Sequence, residues 1–196
     1  MSNQDALSKV EKENLEDLDL PLRGGATNLV FGKGSADAKI MFIGEAPGKK
    51  EDLEGEPFVG AAGKNLDKLL NNVGLSLEEI YVANILKYRP PENRDPLPEE
   101  ISAHTPWLLK QINAIQPKII CSLGNYATKF FMALGDVDKM KQMPGITSVH
   151  GKVQMIEMDG LKFKLIPLFH PAAIIYNRGI QGLWEEDMEI VKREIG

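Results

Sequence analysis

A single cysteine, Cys121, rules out an internal disulfide, and a metal site built from thiolates would need several of them. Cys121 lies in an apolar run, where a buried structural thiol is the expected role. Long apolar runs are missing too: the stretch from Ala38 to Ile43 falls far short of the roughly 18 residues that a membrane span needs. Met1 is not followed by the charged-then-apolar pattern of a secretion signal, so a cytoplasmic location is expected. An excess of positive charge is also absent. The net charge of -5 argues against indiscriminate binding to nucleic acid, whose phosphates are normally met by clustered lysine and arginine. Much of the negative charge lies between Glu11 and Asp19 and around Glu185, Glu186 and Asp187, which leaves several loops locally basic.

What is present is enough for one substantial core: 196 residues, 43% of them hydrophobic, predict a single domain over 1–196. Leu7, Val10, Leu15 and Leu18 fall at roughly helical spacing, so residues 1–20 read as an amphipathic N-terminal helix. Buried strands are predicted at Ala38–Ile43, Ile80–Leu86 and Lys118–Leu123. Between and after them, helices are expected around Leu66–Val73, through Trp107 and Ile112, and at Asn125–Leu134. Asp159-Gly160 predicts a tight hairpin between Val153–Met158 and Leu161–Phe169, and a last helix covers about Gly182–Glu194. The alternation predicts an α/β three-layer sandwich with a central, mostly parallel sheet of four to five strands flanked by helices. Ligands of such sheets bind where loops leave the carboxyl ends of the strands, here Gly44–Asp52, Asn84–Arg94, Gly124–Asn125 and His170–Asn177.

Three of these loops carry residues suited to chemistry. Gly44-Glu45-Ala46-Pro47-Gly48 is either a solvated turn between strand and helix or a loop whose glycines permit close backbone approach to a ligand, with Glu45, Glu51 and Asp52 offering carboxylates to position a water. Phe58, an apolar ring in a polar loop, either stacks on a flat base or anchors the loop. Asn84, near the end of an apolar strand, either caps a neighbouring loop or reads a ligand; its carboxamide matches the N3–H and O4 edge of uracil and mismatches cytosine. Lys87, Arg89, Asn93 and Arg94 are interleaved with prolines, forming a stiff basic loop suited to phosphate or an ordinary charged surface. His170, followed by Pro171, sits at a strand end from which it could donate to an oxygen that gains negative charge.

Taken together the segments resemble the uracil-DNA glycosylase superfamily, specifically its family 4 enzymes. The likeness runs through Thr27-Asn28, Phe31-Gly32, GEAPG with Glu51-Asp52, Pro57-Phe58-Val59-Gly60, Ala62-Gly63, Asn84, Lys87, RPP with Asn93-Arg94, Leu97-Pro98, Leu123-Gly124 and HPAA. The resemblance implies a monofunctional hydrolase of base excision repair that flips uracil out of single- or double-stranded DNA and cuts its bond to the sugar. It implies that Phe58 stacks on the base, Asn84 reads N3 and O4, and His170 bonds O2. Catalytic roles are expected of His170, Glu45 and Glu51, and base contacts of Gly44, Ala46, Phe58, Asn84 and Asn93. DNA contacts are expected of Lys87, Arg89, Arg94, Pro171, Ile175 and Tyr176, with Ile175 or Tyr176 filling the gap left by the flipped base.

Two departures stand out. GEAPG has Ala46 where the best-known members carry a water-positioning aspartate, and Gly48 replaces a tyrosine that excludes the methyl of thymine, leaving Glu51 as a wall. Family 4 members hold an iron–sulfur cluster with four cysteines, and the matching positions here are about Asp17, Leu20, Tyr88 and His104. The expectation is therefore no cluster and no other cofactor, with Leu20, Tyr88 and Trp107 packing the space. A monomer working on DNA at the nucleoid is expected, and nothing in the sequence supports a sliding-clamp partner. The alternatives are a catalytically silent DNA-binding member and a glycosylase for other deaminated bases such as hypoxanthine or xanthine.

Overall fold

A computed structural model describes all residues, 1–196. Four strands, β2 (Ile40–Gly44), β3 (Ile80–Asn84), β4 (Ile119–Leu123) and β6 (Leu161–Leu168), pair in parallel in the order β3-β2-β4-β6. Two antiparallel strands close the edges, β1 (Lys33–Gly34) on β3 and β5 (Gln154–Met158) on β6, making six in all. The strand beyond the expected four to five is β1; two residues long, it has no apolar alternation to betray it. The β5–β6 hairpin turns at Asp159-Gly160, both at positive φ, as that residue pair predicts.

The sheet is covered on both sides, which is why β2, β3 and β4 are buried along their whole length, while β6 is buried continuously only in its second half. Met41 and Ile43 face a core that includes Leu108 and Ile112 of α4 (Pro98–Ile115) and Phe130 and Phe131 of α5 (Gly124–Met132). Ile40 and Phe42 face the opposite core, with Leu66 and Leu70 of α3 (Ala61–Asn72) and Trp184 and Met188 of α8 (Gln181–Ile195). Helix α1 (Asn3–Glu16) starts at a Ser2 capping box and lies along α4, shorter than the 1–20 read from its periodicity. The long loop expected from Gly44 to Gly63 contains a six-residue helix, α2 (Lys49–Glu54), too brief to give a period. Short helices α6 (Ile146–Val149) and α7 (Ala173–Tyr176) complete the set, and no helix is long and apolar enough to cross a membrane.

The order of the strands locates the functional end. From β2 the chain crosses to β3 on one side and then returns to β4 on the other, so the direction of winding reverses at β2. A crevice opens outside the carboxyl ends of strands at such a reversal. Gly44 and Asn84 are register partners at that end of β2 and β3.

Candidate active site

At the reversal point lies a cavity of about 400 Å³ lined by Glu45, Ala46, Pro47, Gly48, Glu51, Phe58, Ala62, Asn84, Pro90, Asn93, Arg94, His170 and Ala172. Three of the four expected loops meet there. The fourth, Gly124–Asn125, buttresses it: Gly124, at φ +85°, lies under His170, where a Cβ would sit 3.1 Å from the His170 Cβ.

Phe58 and His170 form the two aromatic faces, with ring centroids 5.8 Å apart and planes 30° from parallel. Phe58 is held at a positive φ of 53°, an uncommon conformation for a side chain of this size. Its loop is fastened by Glu51, whose Oε1 accepts the main-chain N–H groups of Val59 (3.0 Å) and Gly60 (2.9 Å). Glu51 lines the cavity, but one of its oxygens is therefore committed to the loop. Two glycines make the approach possible: a Cβ on Gly63 would collide with the Phe58 carbonyl, and one on Gly44 would sit 2.5 Å from Asn84 Oδ1 and 2.8 Å from Phe58 Cζ. Gly44 thus serves by close packing and is not itself a lining residue.

Asn84 is buried at the end of β3 and its carboxamide is left open to the cavity. His170 is enclosed by protein on most sides, and this desolvation pulls its pKa down to about 4 against the opposing pull of Glu51. The ring is neutral at pH 7. Its Nδ1 accepts the Ala172 N–H at 3.2 Å, which leaves the proton on Nε2. Glu45 behaves oppositely: burial first, and the nearby Asp95 carboxylate second, push it up to about 7. A carboxylate poised near neutral pH at the cavity wall can accept a proton from water.

Other expected residues fall in different places. Asn93 lines the cavity and its Oδ1 accepts from Arg89 Nε at 2.7 Å, so Arg89 shapes the loop from outside the cavity. Arg94 lines the rim while its guanidinium grips Glu100 with two hydrogen bonds. Ile175 and Tyr176 stand at the surface on α7, the short helix that follows the lining residue Ala172, Tyr176 being 88% exposed. Two expectations are corrected. Lys87 is fully buried, bonded to the Asn84 carbonyl and Gln111, and offers nothing to a phosphate. Pro171 is also buried; its carbonyl accepts from Asn65 Nδ2, so it shapes the turn and presents no surface. Asp52 is structural as well, its Oδ1 accepting the N–H groups of Thr27 and Asn28.

Asp95, which tunes Glu45, is hidden in a proline-rich loop with no distinguishing spacing. His104 and Gln111 carry a clearer signal: both are polar, and both fall on the apolar stripe of α4 with Ile101, Leu108 and Ile112.

The positions that match cluster cysteines do come together, but they do not fit an iron–sulfur cluster. Leu20 has no donor atom, and the Tyr88 hydroxyl accepts from Arg23 at 2.9 Å. Both His104 nitrogens are used, Nδ1 by the Lys87 N–H and Nε2 by the Pro21 carbonyl. Asp17 accepts from Trp107 Nε1 at 3.1 Å. Leu20 and Tyr88 are buried as expected, yet the filling is a hydrogen-bonded network more than apolar packing, and it orders the loop after Asn84. No group of three or more His, Cys, Asp or Glu side chains is placed to hold a metal ion.

The sequence profile of the uracil DNA glycosylase superfamily matches residues 31–188. Among similar proteins, the type-4 uracil-DNA glycosylase of Archaeoglobus fulgidus is 42% identical over 185 residues, covering 94% of this chain and 91% of its own. That of Saccharolobus solfataricus is 44% identical over 169 residues (86% and 76%), and that of Thermotoga maritima 43% over 174 residues (88% and 85%). With the sheet, the cavity and these matches in agreement, the chain belongs to the uracil-DNA glycosylase superfamily, alongside its type-4 members.

Proposed function

We propose that this protein hydrolyses the N-glycosidic bond of uracil flipped out of DNA, with His170, Asn84, Phe58 and Glu45 as its working groups. The observation that carries the reading is the pairing of an open carboxamide with a neutral imidazole across one flat, aromatic-walled cavity. Uracil presents a donor at N3 and an acceptor at O4, which Asn84 Oδ1 and Nδ2 complement; cytosine presents an acceptor at N3 and a donor at N4. Phe58 stacks on the base.

In the reaction the bond between C1′ and N1 breaks, the electron pair leaves with uracil, and C1′ gains oxocarbenium character. The negative charge spreads to O2, where a donor already fixed in place acts at no reorganisation cost. A neutral His170 donates its Nε2–H there without having to give up a proton. Glu45 orients a water toward C1′ and takes its proton as the C1′–O bond forms; that proton is returned through solvent to N1 of the released uracil anion, so water is divided between the sugar and the base and Glu45 is restored. None of these steps calls on a metal, a redox cofactor or a cluster. In this reading the exposed Ile175 and Tyr176 fill the space that the flipped base vacates, and Arg94 of the cavity lining, with Arg89 on the same loop, meets the DNA backbone.

A panel of oligonucleotides carrying uracil, thymine, cytosine, hypoxanthine or xanthine, scored for abasic sites with wild type, Asn84→Ala and His170→Ala, tests the reading. Cleavage at uracil that collapses in both variants is expected. Cleavage at hypoxanthine or xanthine alone would replace the substrate assignment, and DNA binding with no cleavage of any base would remove the enzymatic one.

A further inference from the structure

Behind the cavity lies an ionisable group that the proposed reaction does not use. Lys87 is 0% exposed. Its ammonium donates to the main-chain carbonyl of Asn84 at 2.7 Å and to Gln111 Oε1, and it lies 6.0 Å from the centroid of the Phe31 ring. Gln111 is held in one orientation, because its amide nitrogen donates to the Phe31 carbonyl at 2.8 Å. The Lys87 N–H donates to His104 Nδ1 at 2.9 Å, and His104 Nε2 meets the Pro21 carbonyl at 3.0 Å.

Filling this space needs no charge, and an apolar side chain of the same length would avoid the desolvation that pulls Lys87 down to about 7. The ammonium nevertheless sits here, braced by Gln111 and bonded to the residue whose side chain lines the cavity. The Asn84 carbonyl is at the end of β3, in a peptide whose other side is already bonded, the Ile85 N–H donating to the Gly44 carbonyl at 3.0 Å, so that Lys87 completes the hold on it. Holding it fixes the peptide plane that follows Asn84, and with it the direction of the carboxamide.

We propose that Lys87 is a positioning residue for Asn84, and that His104, at a position matching a cluster cysteine, braces Lys87 from the N-terminal segment in place of a cluster. The inference rests on Asn84 as the base-reading group. It assigns the α1–Arg23 segment a part in excision although that segment lies outside the cavity lining.

The test uses the full chain, with single-turnover excision of uracil and 15N NMR of asparagine side-chain amides, the Asn84 pair being assigned by its loss in Asn84→Ala. Lys87→Met is expected to lower kcat about tenfold or more while KM for DNA changes less than about threefold. In the Asn84→Ala background the same change should cost less than about twofold, since the two residues act as one unit. The Asn84 amide pair should shift or broaden while the rest of the spectrum keeps its dispersion. Unshifted Asn84 signals, or equal losses in both backgrounds, would overturn the inference. If Lys87→Met does not fold, Gln111→Met, which removes one acceptor and leaves the lysine, takes its place: the same loss and the same amide shift are expected, and their absence overturns the inference equally. A folded wild type that releases no uracil defeats the proposed function, and the amide signals then judge the positioning of Asn84 on their own.

Discussion

The cavity and the buried network behind it are built from similar residues with opposite fates. In the network Lys87, His104 and Gln111 are wholly buried and their polar atoms are met by partners. In the cavity Asn84 and Glu45 are open to a ligand, and His170 keeps one donor free. Buried polar groups cost stability unless bonded, so a fully bonded set serves the fold and a partly open set awaits a ligand. The same contrast separates two histidines whose pKa values both fall to about 4 by burial: His104 is spent on Lys87 and Pro21, whereas His170 retains a use.

The contrast is sharpest if the cavity is emptied of its donors. His170→Ala and Asn84→Ala should each lower single-turnover excision by about 10²–10³-fold with little change in melting temperature. Glu45→Gln should cost about 10²-fold or more and remove an acidic limb of the pH–rate profile centred near pH 7, because activity rises as Glu45 ionises. A profile unchanged by that substitution would strip Glu45 of its role.

The network should respond in stability as well as in rate. His104→Ala, which orphans the Lys87 N–H and the Pro21 carbonyl, is expected to destabilise by about 1–3 kcal/mol in denaturant titration. Acid should act through the same group. His104 and His170 have folded pKa values depressed below 6.5, so their contribution is complete above pH 6.5 and is lost as pH falls toward 4, where the unfolded chain binds protons the folded chain refuses. Glu45, raised to about 7, works in the opposite sense, so the comparison is made against His104→Gln, which should flatten the loss over that range. The smallest effect is expected at Asn14, buried in α1 with both amide atoms unpartnered: Asn14→Leu should stabilise by about 1 kcal/mol.

How much was legible in the sequence follows the same division. Three of the four parallel strands, β2, β3 and β4, announced themselves as apolar runs and lie within about two residues of where those runs predict them. Phe58, Asn84 and His170 were legible because each breaks its local pattern: a ring in a polar loop, an amide closing an apolar strand, a histidine at a strand end. Lys87 was misread because a lysine among prolines and arginines looks like a surface charge; only α4, supplying Gln111 and His104 from 24 and 17 residues away, shows that it is enclosed. Asp95 gave no signal, since its effect on Glu45 depends on distance between two loops and on no spacing within either. The two-residue β1 and six-residue α2 are too short to show a period.

The most direct test of the central claim is single-turnover release of uracil from a uracil-containing oligonucleotide by protein prepared without iron, beside a folded His170→Ala variant. Release by the wild type that falls about 10²–10³-fold in the variant is predicted. No release by the folded wild type, or equal release by both, would contradict it.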